Sequence, residues 1–389
     1  MSLIMYRSAR FRALKIIYDI IGNMWDVIRK TDCGDKIYLY SKTIHQDEYN
    51  NIMKRFSYYC PNKTLVKTES LRSIISKRQI LLFNTTPLSE TLRTIIKAVD
   101  RNIYFINFKE NPNDGWEWIR LLNTNRYDPV LYNNSKERFR HIISQCKKQK
   151  LNKCYLFGTG PSLENARNAN FSDGYRVVCN TIGKDKELWD WINPHFIVAG
   201  DAIYHFGHTT YAKKFRSDLL KRLKESEAYF IYPMEYHPIV IREFIEVENK
   251  LLPIPIKHAL KFNDNLTSEY SLPWIGNVFG LLLLPVGCTL SKNIFLWGFD
   301  GRAPDDVLFW KNSNKHSYSE DIEELQKEHP MFYEARVPSS NPTKYVKDVF
   351  GDELEQILTH LEKDGTHITM MHHSWTPCFQ KRYIQDRDG

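Results

Sequence analysis

The chain has 389 residues, 42% of them hydrophobic and 13% aromatic, and a net charge of +8. That content is ample for packed cores, excludes global disorder and makes two domains the default expectation. The positive balance favours anionic partners such as nucleotide phosphates, acidic glycans or anionic lipids, without choosing among them.

The first segment, residues 1–32, reads as a basic amphipathic helix. Phe11, Leu14, Tyr18, Ile21, Trp25 and Ile28 alternate spacings of three and four and draw one apolar stripe. Six cations (Arg7, Arg10, Arg12, Lys15, Arg29 and Lys30) face two acids, Asp19 and Asp26. Such a helix can lie in a bilayer interface, dock on the protein's own core or pair in a homo-oligomer. The chain contains no run of 18 uninterrupted apolar residues and no hydrophobic segment followed by a cleavage site, so neither a membrane span nor secretion is expected. Seven scattered cysteines (33, 60, 146, 154, 179, 288 and 378) form no C-x-x-C pair, which fits a reducing cytoplasm.

From 33 to 125 strand-like and helical runs alternate, predicting an accessory α/β domain. Its expected strands are 36–40, 79–83 and 102–108, and its expected helices 45–57, 87–99 and 115–123. Residues 126–152 are polar and basic and read as a linker followed by a helix. A second α/β domain is expected over 153–389. Its strands are predicted at 154–157, 175–179, 196–199, 228–232, 293–297 and 367–371, with helices near 162–168, 184–191, 209–225, 276–287 and 343–363. The fold class is therefore α/β with two Rossmann-like domains. The C-terminal one is expected to be a doubly wound, mostly parallel sheet with a lid over about 301–342, and ligands are expected beyond the carboxyl ends of its strands.

The most informative stretch is Gly158-Thr159-Gly160-Pro161-Ser162-Leu163, directly after the first strand of that domain. Glycines permit positive φ and close approach, and proline suits a first helical turn. The amides at such a helix start attract phosphates. The turn is neither a Walker loop nor a full G-x-G-x-x-G fingerprint. Other polar residues also follow predicted strands: Asn180 and Thr181, Asp201, and Asp300 with Arg302. Gly276 and Asn277 open a later helix. Helix capping and close packing are the plain alternative for each of these.

The lid segment holds Arg302, Lys315, His316, Tyr318, His329 and Arg336. Basic and tyrosyl groups there can bind a leaving phosphate, and His316 or His329 can act as general base. His205 and His208, and the adjacent His372 and His373, lack a third partner at metal-ligand spacing, so no metal and no resident cofactor are expected. Basic residues do not interleave with aromatics on one sheet face, so nucleic acid is not an expected partner.

The ordered set Gly158–Leu163, Cys179-Asn180, the glycine-bearing helix at 276–287 and Ile294–Asp300 resembles the bacterial lipooligosaccharide sialyltransferases. It is similar also to the motility-associated flagellin glycosyltransferases and the 6-hydroxymethylpterin diphosphokinase-like proteins. The resemblance covers roughly 153–378. It implies a metal-independent, inverting glycosyltransferase with a nucleotide-sugar donor. Cytidine-linked, sialic-acid-like donors come first and uridine-linked ones next, with a surface glycan or lipid-linked acceptor. Such an enzyme would work in the cytoplasm, peripheral to the inner face of the membrane. The resemblance further implies that Thr159, Gly160, Ser162, Asn180, Gly276 and Asn277 hold the nucleotide and that His316 or His329 is the base. Departures lie at Thr159 and Asp201, where those enzymes have asparagines, and at Arg302, in place of a tyrosine. A magnesium- and ATP-dependent diphosphokinase and a nucleotide-binding scaffold without catalysis are the alternative expectations.

Overall fold

The computed structural model describes residues 34–41, 44–69, 79–84, 93, 96–97, 102–124, 128–258, 261–301, 315–336 and 352–383. The basic helix expected at 7–30, most of the helix expected over 87–99, Arg302, the lid stretches 302–314 and 337–342, and the start of the last helix lie outside the described residues. The chain divides into two compact units. One comprises residues up to 127 together with 207–209 and 323–336; the other comprises 128–206, 210–322 and 337–389.

The first unit is built on four parallel strands, β1 (Lys36–Tyr40), β2 (Thr64–Thr68), β3 (Leu81–Phe83) and β4 (Ile103–Phe105), in the order β2-β1-β3-β4. Ile37 and Leu39 alternate into the core from β1, and β4 is buried throughout. β2 was not among the expected strands. Its segment Thr-Leu-Val-Lys-Thr carries two apolar residues, both half-buried at a sheet edge, so no buried-strand pattern shows in the sequence.

Helices Gln46–Tyr59 and Asp114–Leu122 pack together through Tyr59 and Trp118, whose rings stack at 5.4 Å. Arg55 is almost fully buried between these helices and pairs with Asp114, also buried. The same guanidinium donates to the Glu328 main-chain oxygen. His329 Nδ1 meets Asp114 at 2.9 Å, His208 Nε2 meets Glu328 at 3.0 Å, and Lys54 meets Glu328 at 2.6 Å. Buried charge is tolerated only when paired, and this ionic cluster ties segments 207–209 and 323–336 into the first unit.

In the second unit, helix Pro129–Lys148 precedes the sheet, capped by Asp128, whose carboxylate accepts from the Val130 and Leu131 amides. Phe139, Ile142, Ile143 and Cys146 give this helix one buried face. Seven parallel strands follow: β5 (Lys153–Phe157), β6 (Gly174–Cys179), β7 (Phe196–Val198), β8 (Tyr229–Pro233), β9 (Leu251–Ile254), β12 (Asn293–Trp297) and β13 (His367–Met370). A two-stranded pair, β10 (Ile256–Lys257) with β11 (Leu272–Pro273), stands beside them in sequence. The order β13-β12-β5-β6-β7-β8-β9 reverses once, between β5 and β12. All six strands expected for this region are present. β9 was missed because Leu-Leu-Pro-Ile contains a proline, which an edge strand accommodates.

The helix expected at 276–287 is divided. A single π turn covers Phe279–Leu283 and an α-helix Leu284–Leu290. The described part of the expected lid is largely helical, with Ile322–Glu328 and Pro330–Arg336 buried through Leu325, Phe332 and Tyr333. Among the described residues no helix is long and apolar enough to cross a membrane, and the six described cysteines are buried and free.

Gly298 has φ +72°, and a Cβ there would strike the carbonyl of Gly158; Gly365 has φ +82° with nothing within 4 Å. Gly298→Ala therefore carries both strain and a backbone clash, and a loss of roughly 3 kcal/mol or more is expected. Gly365→Ala carries strain alone, about 1–2 kcal/mol. Denaturant unfolding of the two variants checks the difference. Equal losses would show that the close approach at Gly298 contributes nothing.

Candidate functional site

The reversal between β5 and β12 is where an open parallel sheet leaves a crevice at its carboxyl edge. The expected glycine turn follows β5 there, and its residues are used in a way the sequence does not announce. The Gly158 amide donates to the Trp297 oxygen at 2.7 Å, and the Gly160 amide donates to the Gly298 oxygen at 2.9 Å. Ser162 donates to Asp300 twice, from its amide at 3.0 Å and from its hydroxyl at 2.9 Å.

Asp300 thus takes the anion seat at the start of the short 3₁₀ helix Pro161–Asn168. Burial raises its pKa, against the two bonds from Ser162. The amides expected to reach a donor phosphate are engaged inside the fold: those of Gly158, Gly160 and Ser162 all have internal acceptors. Neither turn glycine has positive φ, Gly160 lying at −72°. What requires glycine is close approach. A Cβ on Gly158 would lie 2.5 Å from the Gly298 oxygen, and one on Gly160 would lie 2.8 Å from it. The loop after β13 completes the arrangement, with Ser374 Oγ donating to the Phe299 oxygen and the Trp375 amide to the Asp300 oxygen, both at 2.6 Å.

Several other expected ligand-binding residues are structural here. Asp201 Oδ1 accepts from the Ile203 and Tyr204 amides, both at 2.8 Å, and so caps its loop. Asn277 Oδ1 accepts from the Gly280 amide at 2.8 Å and caps the π turn, while Gly276 is exposed. Tyr318 is buried and donates to Asp218 at 2.7 Å; burial and that carboxylate push its pKa far up. Its hydroxyl is committed there, not to a phosphate.

Thr159 and Asn180 differ from these. Thr159 is partly exposed and makes no hydrogen bond among the described residues. Asn180 follows β6 with φ +52°, in the left-handed region that asparagine tolerates better than most residues. Its buried Oδ1 has no hydrogen-bond partner among the described residues.

The two candidate histidines fall in different compact units. His329 belongs to the ionic cluster of the first unit. His316 belongs to the second unit, where its imidazole Nε2 meets Glu164 Oε1 at 2.8 Å and the residue is 2% exposed. Thr181 Oγ1 donates to the His316 main-chain oxygen, and Lys184 Nζ to that of Ser317. Burial lowers the His316 pKa, and the Glu164 carboxylate acts against that shift.

Glu164 was not singled out from the sequence, although it lies two residues beyond Ser162 in the same 3₁₀ helix. Burial alone would raise its pKa, but bonds from Arg167, His316 and Lys315 bring it down to about 2. Ligand atoms of Glu164, Asp185 and His316 lie within 4.8 Å of one another, a spacing able to hold a metal ion. The Arg167 guanidinium forks between Glu164 and Asp185 and supplies positive charge at that place.

Glu235, just beyond β8, was also missed. Burial pushes its carboxyl up to about 7, against bonds from its own amide and that of Ile256. The rule that found Asn180 and Asp201, a polar residue after a strand, would have found it too. It stands at the end of β8, three strands along the sheet from β5.

Comparison with protein-family models finds no matching family, and comparison with curated proteins finds no matching sequence.

Asp300→Ala leaves the Ser162 amide and hydroxyl without their acceptor, and a loss of about 1–3 kcal/mol is expected in denaturant unfolding. Unchanged stability would mean that the carboxylate does not hold the turn. Glu235 titrates higher folded than unfolded. Its contribution is fully present below about pH 4.5 and is lost as pH rises toward about 7. Glu235→Gln should therefore raise the melting temperature at pH 8 and leave it nearly unchanged at pH 4.5. A gain only at acid pH would reverse the assignment.

Proposed function

We propose that this chain is a nucleotide-sugar glycosyltransferase in which His316 is the general base. The observation that carries the reading is a buried imidazole held by a carboxylate of the very helix that opens at the sheet's switch point. The order of motifs shared with the lipooligosaccharide sialyltransferases and flagellin glycosyltransferases supports it. So does a domain read as a doubly wound, Rossmann-like sheet.

In this reading the donor's polar contacts fall chiefly on Thr159 and Asn180, since Ser162, Asp201 and Asn277 are engaged in the fold. Lys184 and Lys315 bring positive charge to the segment around His316, where a leaving phosphate needs it. A neutral imidazole takes the proton of an acceptor hydroxyl as its oxygen attacks the anomeric carbon and inverts it. A cytidine-linked, sialic-acid-like sugar is the first donor and a uridine-linked sugar the second. A surface glycan or lipid-linked saccharide is the acceptor, with the basic segment 7–30 serving as membrane contact.

The Glu164–Asp185–His316 cluster favours one other reading, magnesium-dependent diphosphate transfer from ATP.

Transfer assays across cytidine, uridine, guanosine and adenosine donors, with EDTA and with magnesium, separate the two. The expected result is EDTA-resistant turnover of a nucleotide sugar that falls about 10²- to 10⁴-fold in His316→Ala. No turnover with any nucleotide sugar, or full activity in His316→Ala, would remove the proposal.

A further inference from the structure

An imidazole can serve as base through either ring nitrogen, and the geometry around His316 distinguishes them. Nε2 faces Glu164 Oε1 at 2.8 Å, whereas Nδ1 is buried and has no hydrogen-bond partner among the described residues. The main chain on this side is pinned by Thr181 and Lys184, so the ring is fixed at its tip and at its root. Glu164 is itself held, by Arg167 Nε at 3.1 Å and Lys315 Nζ at 3.2 Å.

An ionised carboxylate only accepts hydrogen bonds, so the nitrogen facing it must carry the proton. A neutral imidazole has one N–H, which leaves the lone pair on the other nitrogen.

We propose that Glu164 is a positioning residue that holds His316 as the Nε2–H tautomer, so that Nδ1 is the atom that receives the acceptor's proton. The identity of that proton's source rests on the glycosyltransferase reading above; the tautomer does not. In the reaction the acceptor O–H bond breaks and its proton passes to Nδ1. A bond forms between the acceptor oxygen and the anomeric carbon. The bond from that carbon to the phosphate oxygen breaks, and its electron pair leaves with the nucleotide. The imidazolium so formed faces the Glu164 carboxylate, which stabilises it.

The charged groups that bear on His316 are Glu164 and Asp185, which favour the imidazolium, and Arg167, which opposes it. The His329–Asp114 pair is not a second case of the same device. There Nδ1 faces the carboxylate, and Arg55 already pairs with it.

The test uses the full chain labelled with ¹⁵N-histidine, and His316→Gln assigns the ring signals. Long-range ¹H–¹⁵N correlation should show a protonated Nε2 and an unprotonated Nδ1 in the unmodified protein. Glu164→Gln removes the obligatory acceptor, so the single tautomer should give way to a mixture and the imidazole should titrate lower. In transfer assays the same variant should lower kcat roughly 10- to 100-fold with little change in donor KM. The acid limb of its pH profile should move down as well. A protonated Nδ1 in the unmodified protein, or a Glu164→Gln variant with unchanged kcat and acid limb, overturns the proposal. If the Nε2–H tautomer is found but no donor gives turnover, Glu164's hold on His316 stands and the glycosyltransferase reading falls.

Discussion

The second unit depends on a mutual approach of two main-chain turns. Gly158 after β5 and Gly298 after β12 lie so close that neither leaves room for a Cβ, and the Gly158 and Gly160 amides donate to the Trp297 and Gly298 oxygens. Asp300 closes the arrangement by accepting from Ser162. A carboxylate at a helix start does locally what a bound phosphate would do, satisfying orphan amides and complementing their dipole. At the reversal of strand order the turn's amides are thus met by the protein's own groups.

A different constraint organises the first unit. Arg55 and Asp114 are buried with almost no access to water, and each would be costly alone. Glu328, His329 and His208 come from distant parts of the chain to complete the set. Because the partners are charged and their geometry specific, the cluster selects which later segments can dock. The 323–336 stretch is recruited by this cluster and by apolar contact such as that of Phe332 with Trp116. His329 is thereby a member of a structural ion network, which accounts for its burial without any role in chemistry.

Once these two networks are set apart, few strand-end groups are left without internal work. Asp201, Asn277, Tyr318 and Ser162 close loops or caps, whereas the Oδ1 atom of Asn180 and the Nδ1 atom of His316 have no hydrogen-bond partner among the described residues. Buried polar atoms are usually satisfied, so the open Asn180 Oδ1 and His316 Nδ1 are the atoms on which the proposed site is built. The candidate site is defined by what the fold leaves unused.

Much of the second unit was legible from local pattern. Runs such as Cys154–Phe157 and Asn293–Trp297 are apolar enough to be read as buried parallel strands, and the glycines that follow them mark where the chain must turn. Edge strands were not legible, because β2 carries few apolar residues and β9 contains a proline. The site was legible as a set of strand ends but not as a set of partners. Asp300 reaches Ser162 across 138 residues and His316 reaches Glu164 across 152. Periodicity reports which face of an element is buried, and capping chemistry reports where it begins. Neither carries information on which distant carboxylate will arrive. Residue type and spacing thus determined the strands and the glycines, while only the packed chain decided that one glycine turn is sealed by an aspartate, that one histidine is held by a glutamate, and that the other belongs to a buried ion cluster.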